Sequence, residues 1–142
     1  MSTATPREVF QRAHDYLRSY DIRYADCFAE RAVLVMPFAP SGMSRRVEGR
    51  DAIRALLEPR YRASRESGRQ ILEYRDLRIH DTADPEVVVV EFEAIVAQGN
   101  ETQYELPFIL VIRVHDGEIV EQRDYFDSRA AAEQMRVVAS GT

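Results

Sequence analysis

Apolar residues recur along this chain with two different periods, and the change comes at Gly68. Ahead of it they return every three to four positions; after it, every two. In "TATPREVFQRAHDYLRSY", Val9, Ala13, Tyr16, Leu17 and Tyr20 fall on one stripe and predict an amphipathic helix. Thr5 is the expected N-cap, with Pro6 at the first helical position and Glu8 at the third, the layout of a capping box. "IRYADCFAE" predicts a second, shorter helix burying Ile22, Ala25 and Phe28. "AVLVMPF" predicts a strand stopped by Pro37 and Pro40, and "APSGMSRRVEG" a loop rich in turn formers. "RDAIRALLEPRYRASRES" predicts a third helix with Ile53, Leu56, Leu57 and Tyr61 on its stripe and a kink at Pro59.

Beyond Gly68, "QILEYRDLRIH", "EVVVVEFEAIVAQ", "QYELPFILVIRV" and "IVEQRDYFD" predict a four-strand meander with turns at "DTADP", "GNET" and "HDGE". "SRAAAEQMRVVA" predicts a short closing helix. Helices gathered on one side of a mostly antiparallel sheet make an α+β domain. The 142 residues suit one core, so residues 1–142 read as a single domain. A strongly curved sheet with the three N-terminal-half helices across its open end makes a cone-shaped α+β barrel with an internal pocket.

Strand parity sorts the candidate pocket residues. Val120, Gln122, Asp124 and Phe126 share one side of the last strand. Tyr104, Leu106 and Phe108 share one side of the strand before it, and Glu91, Glu93 and Ile95 share a side one strand earlier. Taking the sides with Phe126, Phe108 and Ile95 as one interior points three acids inward: Glu91, Glu93 and Asp124. A bulge would reverse that choice. The other side of these strands is too apolar for free exposure, so a homodimer through the outer sheet face is expected.

Composition narrows the chemistry. A formal net charge of −5 argues against non-specific nucleic-acid binding. All 19 basic residues are arginines, which excludes a Schiff-base lysine and reads as the bias of a GC-rich bacterial genome. The single cysteine, Cys27, reads as a small buried hydrophobe. No apolar run is long enough to span a membrane and the N-terminus lacks a signal-peptide layout, so no membrane partner and a cytoplasmic location are expected. His14, His80 and His115 do not recur at ligand spacing, so neither a metal nor another cofactor is expected. Phosphate-loop, dinucleotide, nucleophile-elbow and zinc-protease motifs are absent.

"VEGRDAIRALL", "VVVVEFEA" and "VIRVHDGEIVEQRDYFD" together resemble the SnoaL-like branch of the nuclear transport factor 2-like superfamily, over roughly residues 6 to 136. The resemblance implies a cone-shaped fold, commonly dimeric, with one deep apolar pocket. It does not by itself imply one function. Limonene epoxide hydrolase shares the "RDYFD" string, and its first acid there maps to Asp124. Its Arg-x-Asp pair on the strand before the hairpin maps to Glu91 and Glu93, so its arginine has become an acid. Ketosteroid isomerase keeps its base near the first strand, where "VLVMPF" has none. SnoaL-type cyclases, which use an acid in an apolar pocket without metal, are the template least contradicted.

Carboxyls crowded into a low-dielectric pocket cannot all ionise, and a shared proton gives an acid beside a base. Asp124 is therefore the expected principal acid/base, with Glu93 as its partner, Glu91 as a modulator and Tyr16 as a phenol donor. Tyr61, Ile95, Tyr104, Leu106, Phe108, Gln122 and Phe126 are the expected substrate-contact residues. The expected ligand is a small apolar molecule, and the expected reaction isomerisation, cyclisation or dehydration, with epoxide hydrolysis as a variant. The alternative is a non-catalytic ligand-binding or dimerisation module of the same fold. Under it Asp124 is a structural acid paired with an arginine, and Glu91 and Glu93 sit solvated at the rim. "RRVEGR" reads either as a solvated loop or as a grip for an anionic ligand.

Overall fold

The computed structural model describes residues 3–99 and 102–133. Helix α1, Pro6–Arg18, starts at the predicted capping box, with the Thr5 and Glu8 side chains and backbones closing on each other. Its stripe buries Val9, Phe10, Ala13 and His14. The second, shorter helix is of the 3-10 type, Ile22–Cys27, and ends earlier than expected, running straight into strand β1, Phe28–Val35. Phe28 is thus the first residue of a strand, fully buried, rather than part of a helix. Six residues are too few for a stable α-helix, whereas a 3-10 turn is used in such short pieces.

The loop after β1 contains a further strand, β2, Arg46–Glu48, antiparallel to β1. The "RRVEGR" stretch is accordingly an edge, with Arg46 paired to Glu48. Helix α2, Arg50–Glu66, runs through Pro59 without interruption. Gly49 joins β2 to α2 at φ 93° and ψ 144°, a region open essentially to glycine alone. A Cβ there would meet only ordinary contact, 3.7 Å from the Glu30 carbonyl oxygen. Gly49→Ala is therefore expected to destabilise the fold by about 1–3 kcal/mol through backbone strain alone, read by chemical denaturation; an unchanged midpoint would contradict this.

Strands β3 (Arg69–Asp81), β4 (Val87–Gln98), β5 (Thr102–His115) and β6 (Glu118–Phe126) form the meander. The sheet order is β2-β1-β6-β5-β4-β3, with β1 parallel to β6 and every other pair antiparallel. The sheet is curved but does not close, since β2 and β3 remain its two edges. Bulges help bend it: β3 shifts register between Ile71 and Glu73 and again between Arg75 and Arg78, where Asp76 takes a φ of 54°. A third shift leaves Val120 as the extra residue of β6.

The helices cover the concave side. Val90, Phe92, Val96, Leu110, Ile112 and Ile119 face them and form one core with Phe10, Phe28 and Ile53. Asp127 accepts hydrogen bonds from the backbone of Arg129 and Ala130 and caps a helical segment at 128–133. The rest of the predicted closing helix lies outside the described residues. Among the described residues no helix is long and apolar enough to cross a membrane.

Candidate functional site

The concave side of the sheet does not fill completely. A cavity of about 490 Å³ remains between β4–β6 and the helices, within the range of small-molecule sites. Its walls are mainly apolar and aromatic, with Phe92, Phe108 and Phe126 from the sheet, Leu17 from α1, and Leu57 and Tyr61 from α2. Phe92 and Phe108 lie opposite each other in neighbouring strands with their rings stacked at 5.2 Å.

Asp124 opens into this cavity from β6 and is the one carboxylate among the described residues lining it. Its Oδ1 is shut off from solvent and has no hydrogen-bond partner. Burial raises its pKa from the usual 3.8 to about 7. Desolvation opposes the charged form, and no arginine among the described residues offsets it. The result is a carboxyl that can give or take a proton near neutral pH.

Two residues earlier on the same side of β6, Gln122 is buried and donates from Nε2 to the Tyr24 hydroxyl oxygen at 2.9 Å. Tyr24 comes from the 3-10 helix and lines the cavity. Because its oxygen is the acceptor in that bond, its own O–H proton stays available as a donor. Burial raises the phenol's pKa, so it remains protonated.

His14 supplies another polar group. It sits in an aromatic box, 4.2 Å from Phe10, 5.2 Å from Tyr74 and 5.3 Å from Phe92 between ring centroids. Both ring nitrogens are buried without a partner, and burial pushes its pKa down to about 3. At neutral pH it is therefore a neutral imidazole with one N–H donor and one acceptor. Tyr74 holds this corner in place by donating from its hydroxyl to the His14 backbone carbonyl at 3.2 Å.

This combination sits in a chain whose residues 10–122 match the SnoaL-like domain. The chain belongs to that family. Similar proteins match it over most of its length. A PhzA/B-like protein of Pseudomonas aeruginosa, itself uncharacterized, is 30% identical over 128 residues, covering 85% of this chain and 83% of that one. A crystal structure of a Bacillus subtilis protein, provisionally described as an isomerase, superposes with a TM-score of 0.77 at 24% identity, over 95% of this chain and 92% of the other. TerC, crystallised with polyporic acid, superposes with a TM-score of 0.67 at 20% identity, over 92% and 97% of the two chains. These structural likenesses establish the shared fold.

Within this SnoaL-like domain, Asp124, Gln122, Phe126, Phe108, Leu106 and Tyr61 all line the cavity. Glu91 and Glu93 do not, which corrects the expected convergence of three acids. They lie opposite Ile109 and Pro107, on the convex side of the sheet. Glu91 is bonded there to His80 Nε2 at 2.7 Å, and Glu93 pairs in register with Arg75. Ile95 shares their parity; it is buried but does not line the cavity.

The physical reason is turn length. A four-residue turn at 99–102 pairs position 98 with 103 and so odd residues with even ones. The observed pairing is Gln98 with Thr102, which keeps Phe92 with Phe108 and turns Glu91 and Glu93 outward. Tyr104 packs against the core without reaching the cavity. Tyr16 also lies off it, with the Arg23 guanidinium 5.0 Å from its ring centre. Tyr24 and His14 are the functional candidates that parity could not supply. His14 is not on the predicted stripe of the first helix, and the expected buried residues of the second, Ile22, Ala25 and Phe28, do not include Tyr24.

Proposed function

We propose that this SnoaL-like domain is a cofactor-free general acid–base enzyme of the isomerase or cyclase type, acting on an apolar carbonyl compound. The observation that carries the reading is Asp124, whose Oδ1 is shut off without a partner in an apolar cavity and whose pKa is about 7. In its ionised form it removes a proton from carbon beside a carbonyl. In its neutral form it returns that proton to another carbon or to oxygen. Tyr24, steadied by Gln122, donates a hydrogen bond to the developing oxyanion, and the neutral His14 holds a second oxygen of the substrate. The apolar walls keep water from competing for the proton. Structural relatives described as polyketide cyclases and isomerases support this reaction class.

The test is exchange of protons for deuterium beside the carbonyl of bicyclic aromatic ketones such as tetralones in heavy water, followed by NMR. Catalysed exchange at a rate that rises with pH through about 7 is expected. Ketones that bind in the cavity yet exchange at the buffer rate would favour the non-catalytic ligand-binding alternative.

We also propose that two copies pair through the convex side of the sheet. Ile109 is 44% exposed in the middle of that side, with Val89, Val111 and Tyr125 around it. Phe38, also exposed, packs edge-on against Tyr125. The Arg113 and His115 ion pairs with Glu86 sit toward one end of this face. Light scattering coupled to size exclusion is expected to show a dimer at micromolar concentration and a folded monomer for Ile109→Arg. A monomeric wild type, or a dimeric variant, would contradict the arrangement.

A further inference from the structure

The cavity carries a positive charge that the acid–base reading does not use. Arg60 lines it from α2, next to Pro59 and Tyr61, and is half-buried. Its side chain makes no hydrogen bond or ion pair among the described residues. The other described arginines of which this is true, Arg31, Arg45, Arg78 and Arg129, are exposed. Most remaining arginines are neutralised by an acid or bonded to a backbone carbonyl, as Arg54 is to Asp26 and Arg18 to the Leu72 carbonyl. Arg69 also lines the cavity and interacts with the Tyr20 hydroxyl.

A half-buried guanidinium without a counter-ion is costly, and burial lowers its pKa from the ordinary value. Asp124 lines the same cavity, but no hydrogen bond or ion pair joins it to Arg60. The cavity thus holds a cation on α2 with no counter-ion among the described residues, and a carboxyl on β6 that is not bonded to it.

We infer that the substrate of this site is an organic acid: an apolar ring system bearing a delocalised oxyanion, a carboxylate or an acidic enol, which pairs with Arg60. The assignment rests on the acid–base reading and deepens it. The ring lies along Phe92 and Phe108, and the oxyanion meets the Arg60 fork, which suits two oxygens sharing one charge. An anion in the same cavity favours the neutral form of Asp124. Asp124 therefore meets this substrate as a proton donor.

The test compares two isosteric pairs by titration calorimetry: 2-naphthoate with 2-naphthamide, and 2-hydroxy-1,4-naphthoquinone with its 2-methoxy ether. The first pair reports a carboxylate and the second an acidic enol. In wild type, at least one anion is expected to bind about tenfold to a hundredfold more tightly than its neutral partner. Arg60→Gln is expected to abolish that preference and leave the neutral compounds unaffected. Arg60→Lys is expected to keep part of it, and neither variant should melt below wild type, since the unpaired guanidinium is itself a cost.

Equal binding within both pairs, no binding of either anion, or a preference that survives in Arg60→Gln would overturn the assignment. Deuterium exchange separates this outcome from that of the underlying reading. Asp124-dependent exchange without charge preference leaves the enzyme reading standing. Charge preference without exchange leaves only a binding site for acids.

Discussion

Replacing Asp124 by asparagine is expected to slow proton exchange on a bound ketone by roughly 10²- to 10⁴-fold, the usual contribution of a positioned acid/base group. The amide keeps the size and shape of the carboxyl but cannot take up a proton. The same substitution has a second, independent signature in stability. The folded pKa of Asp124 lies near 7, against 3.8 for an unperturbed aspartate. The folded state therefore binds the proton more tightly than the unfolded chain. This contribution is fully present below about pH 4 and is lost as the pH rises through 7. At ~1.4 kcal/mol per unit it amounts to at most roughly 4 kcal/mol, less whatever cavity water restores by solvating the ion.

Asp124→Asn has no such slope. Its stability relative to wild type is expected to improve steadily from pH 4 to pH 8 while activity disappears. Parallel pH curves for the two proteins, with activity retained, would show a solvated carboxyl with no part in the chemistry.

His14→Phe is expected to move stability in the opposite pH range. His14 is held neutral by burial, with a folded pKa of about 3 against an ordinary 6.5. The unfolded chain binds that proton first, so stability is fully present above pH 6.5 and falls as the pH drops toward 3. The loss reaches roughly 5 kcal/mol at ~1.4 kcal/mol per unit. Phenylalanine removes this acid limb and also removes two buried nitrogens with no partner. A gain of about 1–3 kcal/mol is expected even at neutral pH, since an unsatisfied buried polar group carries about that cost. In return the variant loses a contact to the substrate, raising KM with a smaller effect on kcat. A variant that is less stable than wild type at pH 7, or an unchanged acid transition, would mean that His14 has a structural partner after all.

How far the sequence carried can be judged from particular residues. The α1 start was legible because a capping box is local: Thr5, Pro6 and Glu8 sit within four positions of one another. Gln122, Asp124 and Phe126 were correctly grouped because no bulge falls among them, whereas the bulge takes Val120, expected on the same side, out of that alternation. The faces of neighbouring strands were not legible, because they depend on one residue of turn length at 99–102. That single residue carried Glu91, Glu93 and Ile95 to the wrong side. β2 was missed because three residues at an edge gain their strand character from β1, not from their own pattern. Tyr24 and Arg60 reach the cavity only through the packing of their helices on the sheet, a tertiary fact that no periodicity contains.

The rise in the Asp124 pKa now has burial alone as its cause, in place of competition among three acids. That makes the claim simpler to test. The most direct measurement is a titration of the carboxyl carbon of Asp124 by ¹³C NMR, with Asp124→Asn identifying the signal. A midpoint near 7 is predicted. A midpoint in the ordinary aspartate range, near 4, would mean that the carboxyl is hydrated and permanently charged, and the acid–base account would fail with it.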